Sequence, residues 1–155
     1  MPKLTFSLAA LLAFVALAAP PQDLSVVEPW VRLPPPGAKN TGAFMVLKNT
    51  GKADRKLIEA SNPASKVTEL HTHLDEGGVK KMRQVPFIEV KAGGSAELKP
   101  GDLHVMLIDL TAPLKEGQVL PITLKFDDGS STVVQAQVRK FDMPAMPGSA
   151  GPMVH

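Results

Sequence analysis

Three of the four histidines, His71, His73 and His104, fall in one stretch of the chain, and Met82 and Met106 share it. His104-Val105-Met106 has i, i+2 spacing. On a strand those side chains leave the same face, about 7 Å apart along the backbone, which suits two ligands of one metal ion. Between His71 and Met82 lies a turn sequence, Asp75-Glu76-Gly77-Gly78. A turn centred on Glu76-Gly77 sets His71 opposite Met82. One centred on Gly77-Gly78 sets His73 opposite Met82 and His71 on the diagonal. Both registers bring an imidazole and a thioether together across a hairpin. Thioether sulfur is soft and neutral and imidazole is borderline, so a pair of each suits Cu(I). The set suits the oxygen-seeking Mg²⁺ and Ca²⁺ poorly. It is also a poor match for Zn²⁺, which favours Cys, His and carboxylate. A single strand Met is ordinarily core filler and a single His ordinarily a rim residue; the joint arrangement is what carries information.

The composition narrows the field. The 155 residues contain no cysteine, which excludes disulfide scaffolds, zinc ribbons, iron–sulfur sites, thiol nucleophiles, a lipidated cysteine and a thiolate blue-copper site. A formal charge of +2 is too small for a nucleic-acid-binding surface. The length suits one domain with a tail.

The elements that must position these donors begin after residue 18. Lys3 precedes an almost wholly apolar run from Leu4 to Ala19, broken by Thr5 and Ser7, with Ala16-Leu17-Ala18 as a small-x-small cleavage pattern. This is the layout of a signal peptide over 1–18, cut after Ala18, and it predicts an exported, periplasmic protein with no membrane span once the signal is removed. A membrane span needs about 20 apolar residues, more than this run offers. Beyond it, short alternating runs predict nine strands: Leu24–Leu33, Thr41–Asn49, Arg55–Ser61, Lys66–Leu74, Val79–Val85, Gly94–Leu98, His104–Leu110, Val119–Phe126 and Ser131–Arg139. Gly, Pro, Asn and Asp separate them, and Pro113–Gly117 reads as a single helical turn. The expected fold is an all-β antiparallel sandwich or barrel over 19–139. Met45 is expected in its core, and so is the lone Trp30, with packing beside the donor residues as the alternative. Residues 140–155, with three Pro, two Gly and no alternation, read as a flexible tail.

His71, ten residues, Met82, twenty-one residues, His104, one residue, Met106 is the pattern H-x10-M-x21-H-x-M. With Trp30-Val31-Arg32, Glu69-Leu70-His71, Lys81-Met82-Arg83 and the run Leu98-Lys99-Pro100-Gly101-Asp102-Leu103-His104, it resembles the PCuAC family of periplasmic copper(I) chaperones over Leu24 to Val138. The resemblance implies a cupredoxin-like Greek-key β-sandwich binding one Cu(I) through His71, Met82, His104 and Met106. It implies delivery of that copper to the Cu(A) centre of cytochrome c oxidase, directly or through a thiol-bearing assembly factor. The residue after the first His is often Met in that family and is Thr72 here. His73 is extra to the motif and reads as a substitute ligand, a support behind a ligand, or plain surface. Some relatives carry C-terminal extensions that bind a second copper, including Cu(II). Met143, Met146, Met153 and His155 are the candidate donors here; the alternative is an inert tail.

No nucleophile–base pair or carboxylate dyad stands out, so the expectation is a monomeric carrier rather than an enzyme. The rivals are a copper storage or tolerance protein, a metal-free β-sandwich interaction module, and a copper redox enzyme. Lys80, Lys81 and Arg83 flank Met82 and read as the solvated face of a hairpin, or as a patch for an acidic partner.

Overall fold

A computed structural model of the chain describes residues 18–141. Residues 1–17, which hold most of the segment read as a signal, and the tail candidates Met143, Met146, Met153 and His155 lie outside the described residues. Ten strands form: β1 (Leu24–Arg32), β2 (Thr41–Asn49), β3 (Arg55–Ser61), β4 (Ser65–Glu76), β5 (Val79–Gln84), β6 (Ile88–Val90), β7 (Ser95–Leu98), β8 (His104–Leu110), β9 (Val119–Phe126) and β10 (Ser131–Arg139). The one strand not foreseen is β6. Three residues behind Pro86 are too few to display an alternation, yet Ile88 and Val90 are buried at the end of the sheet and pair with β3. Pro113–Gly117 forms no helical turn. A β-turn closes there instead, with the Gln118 amide donating to the Lys115 carbonyl at 3.1 Å.

The strands run in the order β5-β4-β8-β2-β1-β10-β9-β3-β6, with β7 also paired to β2. β2 serves two neighbours in turn, β8 along Thr41–Ala43 and β7 along Met45–Lys48. The expected antiparallel order needs one correction, because the first and last strands, β1 and β10, run parallel and make the sheet mixed. One hydrophobic cluster draws on nine of the strands, so the sheet curls to enclose a single core. Leu47, Leu57, Leu107, Ile122, Leu124, Phe126 and Val138 are almost fully buried there. Each such side chain contributes about 1.5–3 kcal/mol through removal from water. Met45 is 2% exposed and belongs to this core.

Trp30 does not. Pairing of β1 with β2 shifts register between Val27 and Trp30. The extra residue is a bulge at Glu28-Pro29, where Glu28 takes a positive φ of 48°. It lets Val26 and Val31, five apart, both meet the core face of β2. It also turns Trp30 outward beside Phe44, onto the face that carries the histidines.

Candidate metal centre

The β4–β5 hairpin turns on Gly77-Gly78, both at positive φ (65° and 85°), with Glu76 and Val79 as the closing pair. Two positive-φ residues make the type I′ turn whose twist matches a hairpin. Centring the turn on Glu76-Gly77 would force Glu76 into that region at about 1–2 kcal/mol. The register that follows sets His73 opposite Met82 and His71 opposite Gln84, so His71 is diagonal to Met82.

On its other side β4 pairs with β8. There His71 faces His104, and Glu69 faces Met106. Directly opposed Cβ atoms lie about 4.5–5.5 Å apart and diagonal partners about 7–8 Å. His71 is therefore the hub, opposite His104 and diagonal to both methionines. The His71 and His104 ring centroids are 5.8 Å apart, and those of His73 and His104 are 5.2 Å apart.

Two local devices orient the rings. Lys99-Pro100-Gly101-Asp102 closes a β-turn with the Asp102 amide donating to the Lys99 carbonyl at 3.1 Å and Gly101 at φ 84°. Proline followed by a positive-φ glycine is the type II arrangement. It presents the Asp102 carbonyl to His104, whose Nδ1–H donates to it at 2.8 Å and leaves Nε2 with a free lone pair. His104 is 3% exposed. Burial holds its pKa below the usual histidine value; the Asp102 hydrogen bond opposes this, and the nearby His73 and His71 reinforce it. The neutral ring, the form that ligates metals, is thereby favoured. For His71, Nε2–H donates to Oε2 of Glu69 at 2.7 Å. Its Nδ1 is the one buried side-chain nitrogen or oxygen without a hydrogen-bond partner among the described residues.

Beside this cluster runs a groove of about 850 Å³. Its walls include His73, Met82, His104, Met106, Phe44 and Phe141, with Arg32 and Lys80 also present. His71 is not on that lining; it sits in the row between His104 and Gln84. An aromatic chain backs the groove, from Phe141 to Trp30 (5.8 Å), Trp30 to Phe44 (4.7 Å) and Phe44 to His104 (6.2 Å). Gly42 lies opposite Met106, and a Cβ there would come within 2.9 Å of the Phe44 ring. Met82, on the fully exposed edge strand β5, is 47% exposed. Lys81 and Arg83 point away from it and pair with Glu76 at 3.0 and 2.8 Å, while Lys80 faces the groove.

The structure thus brings the four motif residues onto one patch of the β5-β4-β8 face, spread over three successive rows of the sheet, with His73 alongside. Among the described residues no group of three or more His, Cys, Asp or Glu side chains is arranged to hold a metal, so a metal here would draw on the thioethers. Glu69 and the Asp102 carbonyl were not singled out from sequence as working parts. Glu69 was findable, since it stands two residues before His71 and must share its face on a strand.

Fold and site together define a class: a curled all-β domain with imidazole and thioether donors gathered on one face of the sheet. The chain belongs to the family described as "Putative lipoprotein LpqE-like", whose model matches residues 24–138. A protein of Leifsonia xyli subsp. xyli named "Putative lipoprotein Lxx21020" is 34% identical over 119 residues, covering 76% of this chain and 70% of that one. Among solved structures, Cu(I)-bound DR1885 from Deinococcus radiodurans is 35% identical with a TM-score of 0.61, covering 81% of this chain and 82% of that one. The copper-bound PCuAC domain of PmoF2 has a TM-score of 0.65 at 19% identity, covering 76% and 93%, a likeness of fold. The fold is the cupredoxin-like fold of the PCuAC domains.

Proposed function

We propose that this protein is an exported, monomeric carrier of Cu(I), holding one ion through His71, Met82, His104 and Met106. The observation that carries the reading is the pair of oriented imidazoles. Each has its N–H engaged by an oxygen acceptor and one bare nitrogen, and thioethers flank the pair. The bare Nδ1 of His71 is buried without a partner, a state that costs about 1–3 kcal/mol unless something binds it. A cation fits that position, and the soft neutral donor set selects Cu(I) over harder ions. The likeness to Cu(I)-bound DR1885 supports the same reading. Export is supported by the signal-like segment 1–18 and by the lipoprotein names of the family and its relative.

The donors are graded in exposure, from Met82 at 47% to His104 at 3%. Handover therefore starts at Met82, where an incoming thiolate or imidazole displaces the outermost thioether, and it ends at His104. No electron changes hands; only ligands exchange. The acceptor in this reading is the Cu(A) site of cytochrome c oxidase or a thiol-bearing factor that loads it. The tail residues form a candidate second copper site, with His155 as a donor to Cu(II) and Met143, Met146 and Met153 as donors to Cu(I). Mixing the Cu(I)-loaded protein with an apo Cu(A) domain or a dithiol assembly factor tests the reading. Transfer of the ion within minutes, seen as the Cu(A) absorption after oxidation or as copper co-eluting with the acceptor, is the expected result. Retention of copper by the donor under excess acceptor marks a storage protein instead.

A further inference from the structure

We propose that Glu69 is a positioning residue for the copper site. Its carboxylate fixes His71 as the Nε2–H tautomer, directs Nδ1 toward the metal, and supplies the counter-charge for the bound cation. The proposal rests on the reading of the donor face as a Cu(I) site and concerns a residue outside the H-x10-M-x21-H-x-M motif.

Three observations place Glu69 in this role. It stands two residues before His71 on β4 and directly opposite Met106 on β8, so it shares the donor face and lies between two proposed ligands. Its Oε2 lies 2.7 Å from His71 Nε2, a separation typical of the stronger hydrogen bonds to carboxylate. The other ring nitrogen, Nδ1, is buried without any partner, so the one contact that sets the ring's tautomer is the one to Glu69. A neutral imidazole has one N–H and one lone pair, and a carboxylate can only accept. The proton therefore sits on Nε2 and the lone pair on Nδ1. His104 is held the opposite way, with Nδ1 donating to the Asp102 carbonyl and Nε2 bare. The two facing histidines thus offer different nitrogens, each locked by a different oxygen. Outer partners of this kind orient a metal-bound histidine and raise its basicity.

The charge argument is independent of the tautomer. Two thioethers and two imidazoles are all neutral, so a bound Cu(I) leaves a net charge of +1 beside the half-buried His71 and the buried His104. Lys80 and Arg32 on the groove add to that positive potential rather than relieve it. Glu69 is the carboxylate hydrogen-bonded into the donor cluster, and its charge offsets that of the ion.

The two roles separate in the variants Glu69→Gln and Glu69→Ala. Glutamine keeps an oxygen that accepts from Nε2–H but loses the charge; alanine loses both. Long-range ¹H–¹⁵N correlation spectra of the mature apo-protein, at about pH 8 where neutral imidazole dominates, report the tautomer of each histidine without copper. The expected result is a single Nε2–H form for His71 in the parent and in E69Q, and a mixture or the Nδ1–H form in E69A, with His104 unchanged throughout. Cu(I) competition titration is then expected to give an affinity lower by about 10–100-fold in E69A and by a smaller factor in E69Q. An E69A protein with the parent's His71 tautomer and the parent's Cu(I) affinity would overturn the proposal. If the tautomer shifts as expected but the parent protein binds no Cu(I), the copper reading falls while the ring-holding role of Glu69 stands.

Discussion

His71→Ala is expected to weaken Cu(I) binding by more than about 100-fold, beyond the 10–100-fold typical of residues that only support a ligand. The reason is geometric. His71 is opposite His104 and diagonal to both Met82 and Met106, so it alone of the four adjoins the other three. Removing its ring leaves Met82 two strands away from the His104 and Met106 pair, with no proposed ligand between them. The control is His73→Ala. His73 lines the groove, stands opposite Met82 and has its ring centroid 5.2 Å from that of His104, so on proximity alone it competes for the ligand role. Among the described residues its hydrogen-bond partner is the Asp102 carbonyl at 3.4 Å, the carbonyl that His104 engages at 2.8 Å, so its ring is held more loosely than that of His104. It is expected to lower affinity only a few-fold. Competition against a Cu(I) chelator of known affinity measures both variants. A large loss in H73A with little in H71A would move the donor from the hub to the groove wall and contradict the assignment.

Leu107→Ala carries the largest expected effect on stability, a loss of about 2–5 kcal/mol. Leu107 has no exposed surface and sits on β8 between Thr41 of β2 and Thr68 of β4. Whole domains are commonly stable by only about 5–15 kcal/mol, so this is a large share. His104 and Met106 leave the other face of the same strand, so loosening β8 loosens two donors at once. Saturating Cu(I) is expected to restore part of the lost stability, because a ligand that binds only the folded form shifts the equilibrium by mass action. Met82→Leu gives the complementary result. Met82 lies half exposed on an edge strand, so its replacement is expected to change stability by less than about 0.5 kcal/mol while lowering Cu(I) affinity. Urea denaturation with and without Cu(I) measures all of these. A destabilised M82L, or an L107A that Cu(I) does not rescue, would contradict this coupling of strand and site.

Much of the fold was legible because period-two alternation marks half-buried strands directly. Val134, Ala136 and Val138 face the core while Val133, Gln135 and Gln137 face out, as that alternation predicts. What escaped depended on tertiary context. β6 is too short to show a period. A lone Trp in an alternating run reads as core, because nothing local announces that Glu28 will accept a positive φ and flip the rest of β1. The parallel pairing of β1 with β10 joins residues a hundred apart and leaves no local trace. In the site, donor types and spacings were readable. The hairpin register has a cue in the sequence too, since only Gly77-Gly78 offers two residues that take positive φ without strain. The ring orientations were not. They depend on a main-chain carbonyl set by the turn before β8 and on a carboxylate whose contact exists only once β4 is extended.

The most direct test of the central claim is X-ray absorption on the mature protein loaded with Cu(I), together with copper stoichiometry by oxidation state. The expected result is one tightly held Cu(I) per domain with an edge of the reduced metal and a first coordination sphere of two sulfur and two imidazole nitrogen scatterers, the sulfur signal falling by half in M82L or M106L. A sphere of nitrogen and oxygen alone, or a protein that retains no Cu(I) through desalting, would contradict it.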